Sequence, residues 1–492
     1  MQKSSLPDSR SGNLLLIGAI TLLAAMNAAT LLKPYSFWLD ELATVSLFNA
    51  SGGSLLSYLM QDNFPPLYFL IIKAWGLFFG ISEISLRFFS FLCTFAALAV
   101  VGYFVRSYER GGWVWPVFTV FLFGTLPTVA YYAQESRPYA LLLLLSSLTI
   151  TSALAVVKAK SDRHPPYTET CFYVFALLLS LTHYFGLFLV FLIGLANLVF
   201  LNRAQKLRNL VLFGVCLVWP SLHFSHSSVL AQTGGNFWIQ VSPVFGTLKV
   251  LFVTTPFLVL FLPLAVACLL LALRGQFSLV ETPLLRSVSY LLFLLSSFVG
   301  VMILVDIHTP LSLPRYFITI VPVATLAVVE LVQVVFASLR WPQFKIGFAL
   351  VAILVLAAQL VKAEQRIELK SAPEQDWKTL AAVVRQSSLC SMGCDALGYS
   401  KWGDYYFSGL SIRNLDPGAS AQWNHFKIQR PLLGFHRAAA LIPSLAKANP
   451  GVVCLEPKQS IPGSAFLMAD PSRLSAALRQ QLLPCSLAPS QP

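Results

Sequence analysis

Long apolar runs separated by short polar segments make up most of the chain. A transmembrane helix needs about 20 predominantly apolar residues, and an uninterrupted run of that length predicts a span. Such runs lie at 12–33, 86–105, 113–131, 138–157, 209–229, 245–273, 287–305, 311–335 and 345–362. The pattern predicts a polytopic helical membrane protein.

One further run, residues 171–201, is too long for one span. A straight helix of this length would extend about 46 Å, whereas the hydrocarbon core is about 30 Å thick. The run is interrupted at Thr182-His183-Tyr184, and basic residues flank it on both sides. Basic flanks are typical of cytoplasmic ends. We therefore predict two short spans that meet at an outward-facing turn at His183, which brings the total to about eleven spans.

The distribution of basic residues sets the predicted orientation. Lys3 and Arg10 precede the first span and favour a cytoplasmic N-terminus. An odd number of spans then places residues 363–492 on the outer side. The run 65–80 is short for a span, so we predict an interfacial helix that starts at Pro65-Pro66, with Trp75 at headgroup level.

Residues 363–492 differ in character, with shorter apolar runs and more Gly, Pro, Ser and charge. The segment from Asp376 to Gln386 predicts a short amphipathic helix, and the alternation over 393–415 predicts strands and turns. We expect an all-α membrane domain over 1–362, with a first outer loop at 34–85, followed by a small α+β periplasmic domain over 363–492.

Four of the eight cysteines lie in the polar tail: Cys390, Cys394, Cys454 and Cys485. Four thiols in one extracytoplasmic segment favour two disulfides, and three pairings are possible. A zinc site is the weaker interpretation, because Cys390 and Cys394 have no second close pair nearby. The remaining cysteines lie in apolar runs and are typical of small buried hydrophobic residues.

Composition narrows the class of protein further. The chain of 492 residues is 56% hydrophobic and 11% charged, whereas soluble domains are about 25% charged. Its net charge of +13 is explained by the basic loops, so nucleic acid is not an expected partner. Neither a phosphate-binding loop nor a Gly-x-Gly-x-x-Gly motif occurs, which argues against a soluble nucleotide donor.

Two adjacent carboxylates, Asp40 and Glu41, lie a few residues after the first span. Ionisable groups near the membrane are energetically expensive and are by default functional. We predict that Asp40 is a catalytic base and that Glu41 orients it, binds an acceptor or helps Glu135 to hold a divalent cation. Adjacent carboxylates repel each other, which favours a nearby cation or arginine.

Three other outward-facing segments carry polar chemistry. The short turn Tyr131 to Tyr139 contains Tyr132, Glu135, Arg137 and Tyr139, and Arg315-Tyr316 opens a later span. The alternative interpretation of the tyrosines is an interfacial aromatic belt. The alternative for Arg315 is a side chain that only extends its charged end to water at the membrane surface. His183 is a candidate site residue, although a lone histidine is more often structural. We interpret His223 and His226 as polar loop residues.

Six motifs in order resemble those of the protein O-mannosyltransferase-like (glycosyltransferase 39 / ArnT-like) family of GT-C membrane glycosyltransferases. They cover about residues 10–335. The motifs are Phe37-Trp38-Leu39-Asp40-Glu41, Asn63-Phe64-Pro65-Pro66-Leu67-Tyr68, Ser82-Glu83 to Leu86-Arg87-Phe88, Gln134-Glu135-Ser136-Arg137-Pro138-Tyr139, His183-Tyr184-Phe185 and Arg315-Tyr316. The chain departs from the family at Asn63-Phe64, where a His or Lys before Pro-Pro is common.

The resemblance implies an inverting glycosyltransferase, transferring a hexose or pentose from a polyprenyl-phosphate donor. Inversion needs one base on the acceptor and charge stabilisation on the leaving phosphate. Asp40 is the expected base. The expected donor-phosphate ligands are Arg137, Arg315, Lys73, Tyr139 and Tyr316, and the expected acceptor-binding or supporting residues are His183, Tyr132 and Arg87.

The partners and location follow from the same resemblance. We expect a multi-pass protein of the bacterial inner membrane that contacts membrane lipid. The acceptor would be lipid A or lipopolysaccharide, another glycan or a protein. A divalent metal, Mg or Mn, is a possible cofactor, held by Glu135 and Asp40. The alternatives are a transporter or flippase for a lipid-linked sugar, which needs polar groups along a path through the bilayer, and a glycan ligase.

Overall fold

A computed structural model gives the architecture of the chain. It describes residues 9–33, 35–49, 53–108, 112–158, 166–226, 243–273, 282–338, 342–370, 376–387, 390, 394–397, 404–415, 432–435, 441–457, 465–470 and 474–485. The chain divides into two compact units. We call the unit formed by Met1–Leu31, Gly52–Phe79 and Leu86–Ile367 the membrane unit, and the unit formed by Leu32–Ser51, Gly80–Ser85 and Glu368–Pro492 the loop–tail unit.

The first half of the chain is helical in every described segment longer than a turn. Its helices are α1 Ser9–Leu31, α2 Leu39–Ser46, α3 Gly53–Gln61, α4 Leu67–Phe79, α5 Glu83–Tyr108, α6 Val114–Gly124, α7 Pro127–Tyr132, α8 Tyr139–Lys158, α9 Pro166–Ser180, α10 Tyr184–Phe200, α11 Arg203–Cys216 and α12 Val218–His226.

Helices continue to the end of the membrane unit. In the described residues they are α13 Pro243–Thr254, α14 Phe261–Leu273, α15 Thr282–His308, α16 Pro314–Phe317, α17 Val321–Ser338 and α18 Pro342–Lys370, with 3-10 turns at Pro256–Leu260 and Ile318–Ile320. A further 3-10 turn, Leu47–Asn49, follows α2 in the loop–tail unit.

Seven helical segments of the described chain are long and apolar enough to cross a bilayer: Gly12–Leu31, Glu83–Tyr108, Tyr139–Lys158, Arg203–Ser225, Leu284–His308, Pro314–Phe336 and Lys345–Arg366. Five shorter apolar helices accompany them, at Leu67–Phe79, Val114–Gly124, Tyr167–Ser180, Tyr184–Phe200 and Val244–Thr254. The predicted polytopic helical class is confirmed.

Several of the eleven predicted spans are shorter than a full crossing. The run 113–131 breaks after Gly124, where Leu126 is extended and Pro127 starts a new helix. The run 245–273 breaks at Thr255, because Pro256 opens a 3-10 turn. Proline removes a backbone donor and disfavours helical geometry in the residue before it. Uninterrupted hydrophobicity alone therefore overestimates the length of these helices.

The run 171–201 folds as predicted into two helices, α9 and α10, joined at residues 181–183. Gly186 permits this close turn, because a Cβ at that position would lie 2.5 Å from the carbonyl oxygen of Leu179. His183 caps α10, with its Nδ1 accepting a hydrogen bond from the backbone N–H of Phe185 (3.1 Å). The turn also accepts a hydrogen bond at the carbonyl oxygen of Leu181 from the N–H of Leu67 (2.9 Å), which attaches the start of α4.

The core of the membrane unit is the segment Pro314–Phe336, whose apolar window is entirely buried. Its residues are mostly small or β-branched, which allows neighbouring helices to approach closely. Lys158 Nζ lies 2.9 Å from Oε1 of Glu330, which belongs to this segment. Charged groups buried to this extent are tolerated when groups of opposite charge lie beside them.

The tail contains a six-stranded mixed sheet in the order β2-β1-β3-β5-β4-β6. The strands are β1 Cys394–Leu397, β2 Ile412–Leu415, β3 Leu432–Phe435, β4 Val453–Pro457, β5 Ala465–Ala469 and β6 Leu482–Pro484. Strand β1 pairs in parallel with β2 and β3, and the remaining pairs are antiparallel. Four helices accompany the sheet in the described parts of the tail: α19 Trp377–Ser387, α20 Asp404–Phe407, α21 Ile442–Ala448 and α22 Ala476–Gln480.

Helix α19 matches the predicted amphipathic helix within a residue at each end, and the predicted α+β character of the tail is confirmed. Two disulfides are present in the tail, Cys390–Cys394 and Cys454–Cys485. The second joins β4 to the residue after β6 and packs against a small core that includes Leu432 and Met468. It closes a long loop of chain, which is the situation in which a cross-link restricts the unfolded state most.

Candidate active site

The acidic pair lies in α2 of the loop–tail unit, and the structure separates the two carboxylates by environment. Glu41 is 1% exposed, and its Oε2 accepts a hydrogen bond from the N–H of Trp38 (3.3 Å) at the start of the helix. Asp40 is half-buried. A carboxylate at a helix N-terminus satisfies backbone donors and the helix dipole. Glu41 thus supports the helix, whereas Asp40 retains access to solvent.

Most of the other predicted site residues meet in the membrane unit. We define the aromatic cluster as Phe64, Tyr132, Tyr139, His183, Phe185 and Tyr316. His183 is at its centre, with ring centroids 4.9 Å from Phe64, 6.1 Å from Tyr139 and 5.5 Å from Tyr316. Tyr132 packs on Tyr139 at 4.9 Å, and Phe185 stacks on Tyr316 at 4.7 Å. Residues from four distant chain segments therefore form one assembly.

Two arginines border the aromatic cluster. The guanidinium carbon of Arg137 lies 5.0 Å from the ring centre of Phe64, and that of Arg315 lies 5.4 Å from the ring centre of Tyr316. Both positions are within the range of cation–π attraction. Arg137 is only 6% exposed. Since both guanidinium groups act electrostatically on His183, the cluster lies in the field of two positive charges.

His183 presents a polar atom to the interior of the cluster. Its Nδ1 is occupied as an acceptor, so the proton of the neutral ring belongs on Nε2. Within the described structure Nε2 is buried and makes no hydrogen bond. A buried donor without an acceptor is costly. His183 therefore has one hydrogen bond to offer to a bound oxygen atom.

The surroundings of His183 keep its ring neutral. Burial is the main cause, followed by repulsion from Arg137 and Arg315, and together they lower the pKa of this turn residue to about 3. The imidazole is therefore a hydrogen-bond donor at physiological pH rather than a cation or a proton carrier.

The turn between α7 and α8 is held by contacts with other helices. Ser90 Oγ donates to the carbonyl oxygen of Glu135 (2.6 Å), and Gln134 Nε2 donates to the carbonyl oxygen of Asn27 (3.2 Å). The N–H of Arg137 bonds back to the Glu135 carbonyl oxygen (2.8 Å). These bonds fix the backbone from which Arg137 extends.

A second anchored turn precedes Arg315. The carboxylate of Asp306, at the end of α15, accepts hydrogen bonds from the N–H groups of Leu311 (2.7 Å) and Ser312 (3.1 Å). Its other oxygen accepts a hydrogen bond from the Thr247 hydroxyl. Asp306, one of the acids at the predicted outer side, is therefore used to shape the chain that leads into α16.

Three residues of this region were not among the predicted site residues. Phe64 and Phe185 complete the cluster around His183. Asp62 is an electrostatic neighbour of Arg137, and burial raises the pKa of its carboxyl group against the opposing effect of Arg137. The only sequence signal for Phe64 was its position before Pro65-Pro66.

The interpretation of His223 as a polar loop residue is wrong. His223 lies within α12 and is fully buried. Its Nδ1 is hydrogen-bonded to the hydroxyl of Tyr184 (2.5 Å), and its ring stacks with Trp219. Flanking serines and histidines made this stretch look polar, but the aromatic rings of α10 and α12 enclose it.

The remaining predicted residues lie in other parts of the unit. Lys73 is half-buried on α4, and Arg87 is 2% exposed near the start of α5. Glu135 is 1% exposed in the α7–α8 turn. In the segments that the structure describes, no group of three or more His, Cys, Asp and Glu side chains is placed to hold a metal ion. The described residues thus do not form a metal cage.

The cluster has the chemistry of an anion site with an apolar wall. Two guanidinium groups supply forked donors that suit phosphate oxygens. His183 supplies a neutral donor, and tyrosines supply hydroxyl groups on flat rings. A bound phosphate would be attracted by both guanidinium groups.

Comparison with solved structures identifies the architecture. The crystal structure of ArnT from Cupriavidus metallidurans in the apo state superposes with a TM-score of 0.57 over 96% of this chain and 99% of that protein, at 14% sequence identity. The chain has a GT-C fold.

Other comparisons are consistent with this fold. The ArnT structure bound to undecaprenyl phosphate gives the same TM-score at 12% identity. The arabinofuranosyltransferase AftD from Mycobacteria gives a TM-score of 0.50 at 14% identity, and the chain spans 40% of that protein. No protein-family model matches the sequence. No curated protein sequence matches it either. At these identities the GT-C relationship is one of fold.

Proposed function

We propose that this GT-C protein is an inverting glycosyltransferase. It would move a hexose or pentose from a polyprenyl-phosphate donor to an acceptor at the outer face of the bacterial inner membrane. The observation that carries the proposal is the placement of Arg137, Arg315 and the Nε2–H donor of His183 around one aromatic cluster. The structure of ArnT with undecaprenyl phosphate supports the same class of lipid partner.

The charges suit the leaving group of such a transfer. A polyprenyl-phosphate sugar is a phosphodiester with one negative charge, and the released polyprenyl phosphate gains a second. Groups that bind the developing charge more tightly than the ground state lower the barrier. Arg137 and Arg315 would take this role, with Tyr139, Tyr316 and Lys73 as further ligands of the phosphate.

In the proposed step an acceptor hydroxyl attacks the anomeric carbon while the bond to the phosphate oxygen breaks. Asp40 accepts the hydroxyl proton as general base, and the bond electrons leave with the phosphate. Attack from the side opposite the phosphate inverts the anomeric centre. Glu41 stays in the helix cap and holds α2, and Tyr132, His183 and Arg87 support the bound substrates.

The proposed orientation has a cytoplasmic N-terminus and a periplasmic tail. The pairing of all four tail cysteines supports it, because disulfides persist in oxidising compartments. The acceptor would be lipid A or lipopolysaccharide, another glycan or a protein. Mass spectrometry of envelope glycolipids, with and without the protein, would identify the sugar and the acceptor.

The decisive experiment is Asp40→Asn in purified protein, supplied with a synthetic polyprenyl-phosphate sugar and an envelope extract as acceptor. Loss of a general base lowers rates by about 10²–10⁴, so transfer should fall by that factor while donor binding is retained. Glu41→Gln is the matched control, since the amide oxygen still accepts from Trp38 and α2 keeps its cap. Its loss should be clearly smaller.

Two alternatives predict other results. A flippase would move the donor across liposomes without changing it, and Asp40→Asn would leave that movement intact. A glycan ligase would transfer preassembled oligosaccharides in preference to single sugars. Transfer that survives Asp40→Asn unchanged would remove Asp40 from the reaction.

A divalent metal, Mg or Mn, remains a separate proposal, with Glu135 and Asp40 as its suggested ligands. The donor set among the described residues does not itself form a metal cage, so no step above depends on one. Activity that is unchanged by a chelator would remove this role from Glu135. Activity lost to the chelator and restored by Mg²⁺ or Mn²⁺ would support it.

A further inference from the structure

The tail of the loop–tail unit holds the first loop at its two ends. We call Phe37 together with Ile81–Glu83 the neck. Phe37 precedes the helices α3 and α4 in the chain, and Ile81–Glu83 follows them. Helix α20 of the tail places two consecutive tyrosines, Tyr405 and Tyr406, against the neck. All of these residues belong to the same compact unit.

The hydroxyl of Tyr406 bonds to both sides of the neck. It accepts a hydrogen bond from the backbone N–H of Phe37 (2.8 Å) and donates one to Glu83 Oε1 (3.0 Å). Lys378 Nζ lies 3.1 Å from the same oxygen of Glu83. Tyr406 is 7% exposed, so these bonds form in a largely dry environment in which unmade bonds are costly.

Tyr405 adds a second attachment. Its hydroxyl donates to the carbonyl oxygen of Ile81 (3.0 Å), and its ring meets Phe37 edge-on with centroids 5.8 Å apart. Phe37 is fully buried. The backbone at the neck is therefore fixed by hydrogen bonds and by an anchored aromatic side chain.

Fixing Phe37 fixes the start of α2. The next residue, Trp38, is the N-cap, and its N–H bonds to Glu41. Asp40 is the second residue of this helix. The tail thus holds the backbone N–H of Phe37, which lies three residues before Asp40. This bond sets the direction in which the Asp40 side chain leaves α2.

We propose that the tail is a positioning element for Asp40, and that Tyr406 is the positioning residue through which it acts. The proposal rests on the proposed function, in which Asp40 is the general base. It assigns to the tail a role in the chemical step rather than in acceptor recognition. Small displacements of a reacting group lower rates strongly, so a loose neck would slow transfer without weakening donor binding.

The protonation of Tyr406 supports the arrangement. Burial raises the pKa of its hydroxyl, and the neighbouring Glu83 raises it further. The hydroxyl therefore keeps its proton at physiological pH and remains the donor to Glu83.

The test compares Tyr406→Phe, Tyr405→Phe and Arg413→Gln in the full-length protein. Tyr406→Phe keeps the ring and removes both hydroxyl bonds. Tyr405→Phe removes only the bond to Ile81, at a position that is 37% exposed and so tolerant of change. Arg413→Gln is the control, since it removes the ion pair between the exposed Arg413 side chain and the buried Asp395 elsewhere in the tail. Hydrogen exchange of the segment 36–46 is measured first, because it needs no activity.

Exchange over 36–46 should become about tenfold faster in Tyr406→Phe, less so in Tyr405→Phe, and stay unchanged in Arg413→Gln, in line with the loss of one or two hydrogen bonds. The kcat for sugar transfer should fall about tenfold in Tyr406→Phe with KM for the donor within about twofold. Far-UV circular dichroism and intact disulfides confirm that the tail is folded.

Each result has a defined meaning. Unchanged exchange in a folded Tyr406→Phe overturns the proposal, and so does faster exchange with unchanged kcat. A fall confined to KM also overturns it, since that would indicate substrate recognition. If Tyr406→Phe does not fold, Tyr405→Phe decides by the same two measurements. If the wild type transfers no sugar from any polyprenyl-phosphate donor while exchange still responds, the proposed function fails and the attachment of the neck stands.

Discussion

The aromatic cluster of the membrane unit and the neck of the loop–tail unit both contain buried polar side chains, but they satisfy them differently. In the neck, the Tyr406 hydroxyl donates one hydrogen bond and accepts another, and Glu83 receives two partners. In the cluster, His183 uses one ring nitrogen and leaves the other buried and unbonded within the described structure. Satisfied networks rigidify a fold, whereas an open donor is suited to a ligand.

A second difference is charge. The neck pairs Lys378 with Glu83, whereas the cluster places two guanidinium groups on the same histidine. The neck thus pairs opposite charges, whereas two like charges act on the same histidine of the cluster. If this distinction is functional, the aromatic cluster binds an anion, whereas the locally satisfied polar groups support the fold.

The largest expected effect is on binding of undecaprenyl phosphate. Arg137→Ala and Arg315→Ala should each weaken binding by about 10- to 150-fold, because a hydrogen bond to a charged group contributes about 1.5–3 kcal/mol. Calorimetry in nanodiscs measures this. Arg413→Ala, which lies in the tail, is the control and should bind as the wild type does. Equal binding by all three variants would show that the cluster is not the phosphate site.

A smaller effect is expected at the turn that carries His183. In Gly186→Ala the new Cβ would meet the Leu179 carbonyl oxygen at 2.5 Å, so stability should fall by about 1–3 kcal/mol. Gly194 lies in the same helix with open space around it, and Gly194→Ala should be neutral or slightly stabilising. Thermal unfolding of the two variants gives the comparison. Equal melting temperatures would mean that the close approach at Gly186 is not required.

Asp306→Asn tests whether a residue outside the aromatic cluster helps to position Arg315. Its carboxylate orders the turn before Arg315, so the variant should lose about 1–2 kcal/mol of stability. Undecaprenyl phosphate binding should weaken about threefold, a change near 0.7 kcal/mol that reflects a less ordered Arg315. Loss of binding as large as in Arg315→Ala would indicate that Asp306 contributes to the site directly.

The smallest effect is expected for His183→Gln. Replacing the fixed ring donor by the more flexible amide donor of glutamine should weaken undecaprenyl phosphate binding by only about twofold, the lower end of the effect of a neutral hydrogen bond. With a pKa of about 3, wild-type His183 stays neutral between pH 5 and 8, so it should contribute no pH dependence to binding there. The affinities of the wild type and of His183→Gln, plotted against pH over this range, should therefore run parallel. A wild-type curve that strengthens below pH 6.5 and is lost in His183→Gln would show that the ring gains a proton in the site.

The lowered pKa of His183 also predicts how the stability of the folded protein changes with pH. Between about pH 6.5, the ordinary value of an unfolded histidine, and the folded value near 3, the unfolded chain binds the extra proton. Stability due to this group is therefore complete above about pH 6.5 and declines as the pH falls towards 3. The acid side of the unfolding curve should be less steep in His183→Gln than in the wild type.

Much of the architecture was predictable because it depends on local patterns. The α9–α10 pair followed from the length of one apolar run, and α19 followed from its amphipathic spacing. The breaks at Pro127 and Pro256 were missed, because hydropathy averaged over a run takes no account of a missing backbone donor. The burial of His223 was missed because its aromatic neighbours come partly from α10.

The sequence by itself determined that this is a polytopic helical protein with a separate α+β tail, and it pointed to Arg137, Tyr139, His183 and Tyr316 as candidate residues. Only the tertiary structure decided that these residues meet around one histidine, that Phe64 joins them, and that Glu41 is buried in a helix cap while its neighbour Asp40 is half-buried. It also decided that Tyr406, near the end of the chain, bonds to Phe37 near its beginning. The physical reason is that hydrophobic period and length act within one segment, whereas a polar contact depends on how distant segments pack and on which donors that packing leaves satisfied.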